Sequence, residues 1–317
     1  MFLNIRRPSG AKADNLTSRE VFTAMPELEW ASVLDRQSTF QAFVNNRSGA
    51  GACSGQRAVA GTMTGNLNGD AGGWEDLIEG RNVSYWVLLQ NLQHILASAP
   101  HLIHEVADML TDEALIRRAN VTPFQFLAVV EALEKEPPPG ALRVIAALSD
   151  AADIALVNVP KLNGRTLVAL DGAMAGRFLQ TASLFAAVMA KANGADVFLL
   201  GEQAKPTLLD LHESTLLLAR RLESHGYATG ANFRGLFHSA GPVCDRLVIL
   251  SDRQGWISEC LTTAEFAQWK QRSGGDPKVF SFNLSNCGSQ EFSESEEHRI
   301  AVWSDKALEV MQFFESG

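Results

Sequence analysis

The sequence lacks the features of a membrane, secreted or disulfide-stabilised protein. No apolar run in its 317 residues approaches the ~18 residues that a membrane span needs. The opening residues, MFLNIRRPSG, carry their arginines after the apolar residues and show no cleavage pattern, so they do not resemble a secretory signal. The four cysteines have neither C-x-x-C spacing nor the density of a disulfide framework. We therefore expect reduced thiols and a cytoplasmic protein.

A strongly basic segment is also missing. The formal net charge is −9, and Lys plus Arg number 7 against 6 Asp plus Glu in residues 1–70, 4 against 10 in 71–142, and 16 against 20 in 143–317. Proteins that bind nucleic acid use positively charged surfaces, because the neutralisation of phosphates supplies most of the non-specific affinity. The charge distribution therefore favours a polypeptide over RNA as the main partner, although a few clustered arginines could still form a local patch.

Common catalytic signatures are absent too. The sequence has no G-x-x-x-x-G-K-[ST], no G-x-G-x-x-G after a strand, no G-x-S-x-G and no H-E-x-x-H. His238, in GLFHSAG, could act as a base, but a histidine at such a position is more often structural. We expect no catalytic residues, and we expect a binding or assembly protein, not an enzyme.

Residues 1–73 are predicted to form an irregular N-terminal arm and a glycine-rich loop. Eight glycines between Ser48 and Gly73 disfavour a compact helix. The favoured interpretation is a surface loop, and the alternative is an arm that reaches a neighbouring subunit. The aromatic residues Phe22, Trp30, Phe40 and Phe43 could be buried there. We expect a homo-oligomer stabilised partly by this arm.

Residues 74–140 are predicted to form a small helical domain of about four helices. Apolar residues recur at helical spacing in NVSYWVLLQNLQHILASA, HLIHEVADML and TPFQFLAVVEALEKE, and Pro137–Gly140 ends the pattern. Three histidines fall in this segment: His94, His101 and His104. They lack an acidic partner at ligand spacing, so ordinary surface or core histidines are favoured over a metal site.

Residues 141–317 alternate between apolar strands and amphipathic helices. The predicted strands are 166–171, 196–200, 247–251, 278–283 and 299–303, with helices between them. This pattern predicts an α/β domain with a doubly wound, mostly parallel sheet covered on both faces. Asp171 and Asp252 each follow the end of an apolar strand, and such ends form one rim of a parallel sheet.

Four stretches in this order resemble the TROVE family of Ro-like proteins, whose C-terminal part is a von Willebrand factor A-type domain. They are NVSYWVLLQNL, ALIRRANVTPFQFLAVVEAL, LSDAADIALVNVPKLNGRTLVALD and VWSDKALEVMQFF. The resemblance runs from about Asn82 to the end of the chain. It implies an RNA-binding, ring-forming or scaffold component of a ribonucleoprotein. Family members close a ring of helical repeats, whereas this helical segment is too short to close one by itself.

The resemblance also implies a metal-ion-dependent adhesion site at the rim. Its pattern is D-x-S-x-S on one loop, a threonine on a second and an aspartate on a third, which gives Mg²⁺ the oxygen ligands it prefers. Here the acids are Asp171 and Asp252, but the hydroxyl positions are Ala173, Ala175 and Ala231. The site is therefore predicted to be degenerate, with no cofactor unless those hydroxyls are restored.

Two questions about this loop stay open in the sequence. Alanine at all three positions fits both natural loss and deliberate replacement. Asp171 could also serve only as the cap of the following helix.

A rival function is a self-assembling protein scaffold without RNA. Its A-type domain would mediate metal-dependent assembly in a parent with Ser, Ser and Thr at 173, 175 and 231.

Overall fold

A computed structural model describes residues 5–6, 71–226, 233–239, 244–252, 262–283, 297–300 and 307–316. These residues form two compact units. One unit contains the helices up to Ala155. The other begins at Leu156 and includes the short strand Ile5–Arg6. No helix in the described ranges is both long and apolar enough to cross a bilayer.

Within residues 71–155, the first unit contains six α-helices. They are α1 (Ala71–Glu79), α2 (Tyr85–Ser98), α3 (Ile103–Leu110), α4 (Glu113–Ala119), α5 (Phe124–Lys135) and α6 (Ala141–Ile154). Their apolar stripes face inward, with Leu88, Leu92, Val106 and Phe126 almost completely buried. The amphipathic pattern of the sequence is thus used to build a helical core.

Local chemistry sets several helix ends in this unit. Ser84 caps α2 by accepting a hydrogen bond from the Val87 N–H, and Asp112 caps α4 by accepting bonds from Ala114 and Leu115. Helix α1 begins at Ala71, inside the glycine-rich tract in which the sequence predicted no helix. Burial of Trp74 and Ile78 explains this difference, because tertiary packing outweighs the weak helix propensity of glycine.

Helix α6 belongs to the helical unit by its contacts. The sequence predicted a domain boundary at residue 140, after the three prolines. In the structure α6 follows these prolines and packs against α3 and α5, so the division between the compact units falls after Ala155. The prolines therefore separate α5 from α6, which lie in the same unit.

The second unit is built on a seven-stranded sheet. Its strands are β1 (Ile5–Arg6), β2 (Thr166–Asp171), β3 (Asp196–Leu200), β4 (Ala204–Pro206), β5 (Arg246–Ser251), β6 (Lys278–Asn283) and β7 (Glu297–Ile300), in the order β1-β7-β6-β5-β2-β3-β4. The five inner strands run parallel, and β1 and β4 pair antiparallel at the two edges. The predicted strands 166–171 and 247–251 are adjacent and parallel in the sheet.

Helices cover both faces of this sheet. They are α7 (Gly176–Asn193), α8 (Thr215–Ser224), α9 (Phe233–Ser239), α10 (Thr262–Ser273) and α11 (Ala307–Ser316). On one face Leu167 and Ile249 pack with the aromatic group of Phe237, Phe266 and Trp269. On the other, Phe282 contacts Phe185 of α7. The predicted α/β fold class is confirmed for the described residues.

Candidate functional site

Two acidic residues lie at the ends of adjacent strands. Asp171 is the last residue of β2, and Asp252 follows β5 directly. Because β2 and β5 are parallel neighbours, both carboxylates belong to the same rim of the sheet. Asp171 is fully buried and Asp252 is 5% exposed.

The Asp171 carboxylate accepts hydrogen bonds from the loop that follows it and from the neighbouring strand. Its Oδ2 accepts a 2.6 Å hydrogen bond from Ser251 Oγ, and its Oδ1 accepts a 2.9 Å bond from the Ala173 backbone N–H. Ser251 is itself buried at the end of β5. These bonds satisfy a charge that would be costly to bury alone, and they tie the loop after β2 to the neighbouring strand.

Gly172 attaches the same loop to strand β3. Its N–H donates a 2.7 Å hydrogen bond to the Leu200 carbonyl oxygen. A Cβ at this position would lie 2.8 Å from that oxygen, which is too close for any side chain. The loop that carries the predicted ligand positions is therefore fixed on both sides, by β5 and by β3.

The first two predicted hydroxyl positions differ in their surroundings. Ala173 is half-buried and presents its N–H to Asp171, whereas Ala175 is exposed and precedes helix α7. Ala175 has the extended backbone of an N-cap residue, but no side chain caps the helix there. Asp171 Oδ1 accepts from the N–H of Ala173, three residues before the helix begins. Ala231, the third position, lies outside the described residues.

The described residues do not fit a Mg²⁺ site. That ion needs several fixed oxygen ligands in near-octahedral geometry. Here the positions that would supply hydroxyls carry methyl groups, and the Ala173 N–H, a donor that repels cations, points at Asp171 Oδ1. Within the described ranges no three His, Cys, Asp or Glu side chains come together as a metal-binding group.

The histidines of the sequence analysis have other contacts. His94, His101 and His104 are exposed; the His94 ring meets the Trp74 ring edge-on, and His101 Nε2 lies 2.7 Å from Glu75 Oε1. His238 lies on α9, and its Nε2 is 3.4 Å from Oε2 of the buried Glu265 of α10. Trp74 and Glu75 lie on α1, so His94 and His101 both contact that helix.

Sequence reasoning missed Ser251 and Gly172. A signal for Ser251 was present, because a serine directly before Asp252 at the end of an apolar strand must lie at the rim. Its partner could not be read from the sequence, since Asp171 is 80 residues away. The need for glycine at 172 depends on the Leu200 carbonyl of another strand, which only the folded structure brings near.

Comparison with known proteins identifies a similar fold. No family model matches the chain, and no curated protein matches it. The crystal structure of the Ro (Rsr) protein of Deinococcus radiodurans is similar, with a TM-score of 0.62 and 19% sequence identity, over 74% of this chain and 53% of that chain. The chain thus spans about half the length of that protein. At this identity, the likeness shows a Ro-like fold.

Proposed function

We propose that this chain is a Ro-like, non-catalytic binding protein and a ring-forming or scaffold component of a ribonucleoprotein. The observation that carries the proposal is the Ro-like fold over 74% of the chain. The non-catalytic part of the proposal fits the rim, where the buried Asp171 accepts hydrogen bonds from Ser251 and the Ala173 N–H and so has a structural role. We propose, in addition, that the protein is cytoplasmic.

RNA, if bound, is expected on the α/β unit. Residues 71–155 contain 12 Asp or Glu and 5 Lys or Arg, so the helical unit repels phosphate. Two of those five basic residues form salt bridges, Arg81 with Asp112 and Arg117 with Glu113. The α/β unit instead exposes basic side chains such as Arg177, at the start of α7 beside the rim, and Lys205 of β4.

A second candidate function is a self-assembling protein scaffold without RNA. The acidic helical unit favours it, because a negative surface suits a polypeptide partner better than a nucleic acid. In this alternative the rim of the α/β unit is an assembly surface. A parent protein with Ser, Ser and Thr at 173, 175 and 231 would assemble there in a metal-dependent way.

A salt-dependent RNA titration separates the two. Filter binding with a hairpin RNA and a single-stranded RNA is expected to give a dissociation constant below the non-specific range of ~10⁻⁴–10⁻⁶ M. Arg177→Glu with Lys205→Glu should weaken that binding. The matched charge reversals Lys135→Glu and Arg143→Glu, on exposed positions of the helical unit, should leave it nearly unchanged. Binding no tighter than the non-specific range, or equal loss in both pairs, favours the protein scaffold.

A further inference from the structure

A groove lies between helices α2 and α5 of the helical unit. It has a volume of about 210 Å³, enough to receive an apolar side chain. Its floor is made of buried aliphatic side chains: Leu89, Leu92, Val129 and Leu133. The half-buried Ala132 and Gln90 lie on its walls. The small side chain of Ala132 leaves the groove open at the middle of α5.

A polar atom in this groove has no partner. Gln93 lines the groove, and its Nε2 donates to the Glu136 carbonyl oxygen at 3.2 Å and to Glu136 Oε2 at 3.4 Å. Both of these atoms are acceptors, so the orientation of the amide is fixed with nitrogen toward Glu136. Its Oε1 is buried and accepts no hydrogen bond. A buried acceptor without a donor is costly, so this atom points to a ligand that brings an N–H group.

The charge around the groove indicates which kind of ligand would bind there. The helical unit carries 12 acidic against 5 basic residues between 71 and 155, and the exposed Glu136 accepts a hydrogen bond from the groove residue Gln93. A cationic partner is attracted to such a surface, whereas a phosphate backbone is repelled. The groove has an apolar floor and an acceptor without a donor, and it belongs to a negatively charged unit. These features suit a peptide ligand better than a nucleic acid.

We infer that this groove is a docking site for a basic polypeptide segment, which inserts an apolar side chain between α2 and α5 and donates an N–H to Gln93 Oε1. The lysines or arginines that flank the apolar residue face Glu136 and the acidic surface. This binding mode is the one by which amphipathic peptides use grooves between helices. It goes beyond the proposed function, because it assigns a partner to the helical unit whether or not RNA binds elsewhere.

The test is a peptide titration with the full chain and no RNA. The probe is a fluorescein-labelled 16-residue peptide of lysine and leucine, with leucines at helical spacing, and its counterpart has glutamate in place of every lysine. Fluorescence anisotropy should show saturable binding of the lysine peptide and none of the glutamate peptide. Equal binding of both, or no saturation by the lysine peptide, overturns the inference.

Variants show whether binding occurs in the groove. Ala132→Trp fills it and should weaken binding at least about tenfold, while Ala97→Trp, on an exposed position of α2 outside the groove, should change it less than about twofold. Gln93→Met removes the acceptor and should also weaken binding. Equal effects of the two tryptophans mean non-specific charge attraction and overturn the site. If Ala132→Trp unfolds the chain, as its circular dichroism would reveal, Gln90→Trp fills the groove from α2 and decides in the same way.

Discussion

Ser251 donates a 2.6 Å hydrogen bond to Asp171, and the two residues end adjacent parallel strands of one sheet. Both side chains are buried. A hydroxyl thus stabilises a carboxylate that, by resemblance, would belong to a metal-binding loop. The bond links β2 to β5 at the rim and gives Asp171 a structural role.

Removal of this hydroxyl should destabilise the protein. Ser251→Ala removes the hydrogen bond that Ser251 Oγ donates to the buried Asp171 Oδ2, and hydrogen bonds to charged groups contribute about 1.5–3 kcal/mol. We expect the free energy of unfolding to fall by that amount in urea titrations. The matched change Ser224→Ala, at an exposed site, should cost much less. A similar small loss in both variants would contradict the role assigned to Ser251.

Addition of a hydroxyl before α7 should stabilise the protein without any metal. Ala175 has the extended backbone of an N-cap residue (φ −128, ψ 157) and is exposed, but it offers no acceptor to the first helical N–H groups. Ala175→Ser should raise the free energy of unfolding by about 0.5–2 kcal/mol in the presence of EDTA. Ala146→Ser, at an exposed position within α6, serves as the control and should be neutral or slightly destabilising.

Metal binding should require all three hydroxyl positions. The chain as it stands should give no heat of Mg²⁺ or Mn²⁺ binding in calorimetry, because two carboxylates alone do not fix enough oxygens. The variant Ala173→Ser, Ala175→Ser, Ala231→Thr should bind the ion and, if metal steers assembly, change the oligomeric state. Addition of Asp171→Asn to this variant should abolish binding. A micromolar site in the unaltered chain would refute the prediction.

Alkaline pH should reduce the contribution of Cys244 to the free energy of unfolding. Burial raises the pKa of its thiol to about 11, above the ordinary value of 9.0. The unfolded chain therefore releases this proton first as pH rises. The stability contributed by the neutral thiol is complete below about pH 9 and is lost between about pH 9 and about pH 11. The stability difference between the native chain and Cys244→Ala should shrink over this range in denaturant titrations; a constant difference would argue against it.

The chain should be a homo-oligomer that depends partly on residues 1–73. Burial of aromatic side chains such as Phe22 and Trp30 on a neighbour would contribute about 1.5–3 kcal/mol each. These residues lie outside the described ranges, so the expectation derives from the sequence alone. Light scattering should give the mass of an oligomer for the full chain and a lower mass for a chain that starts at Trp74. A monomeric full chain, or an unchanged mass after truncation, would refute the role of the arm.

Most inner strands of the sheet were predictable from the sequence. Thr166–Asp171, Asp196–Leu200 and Lys278–Asn283 match the predicted bounds, because inner strands of a parallel sheet are rich in apolar residues such as Val, Leu and Phe. Strand β4 (Ala204–Pro206) was not predicted. It is three residues long and contains Lys205 and Pro206, so it has no such run and exists only through its pairing with β3.

By itself the sequence determined the fold class and the positions of Asp171 and Asp252 at the rim, because the succession of strands and helices along the chain and the apolar composition of each strand are local properties. Only the tertiary structure decided what these positions do. It brought Ser251 to Asp171 across 80 residues and left Gln93 Oε1 without a donor in the α2–α5 groove. Whether a hydrogen bond forms depends on differences of a few tenths of an ångström in the distance between donor and acceptor. When these atoms belong to segments far apart in the chain, no residue pattern contains that information.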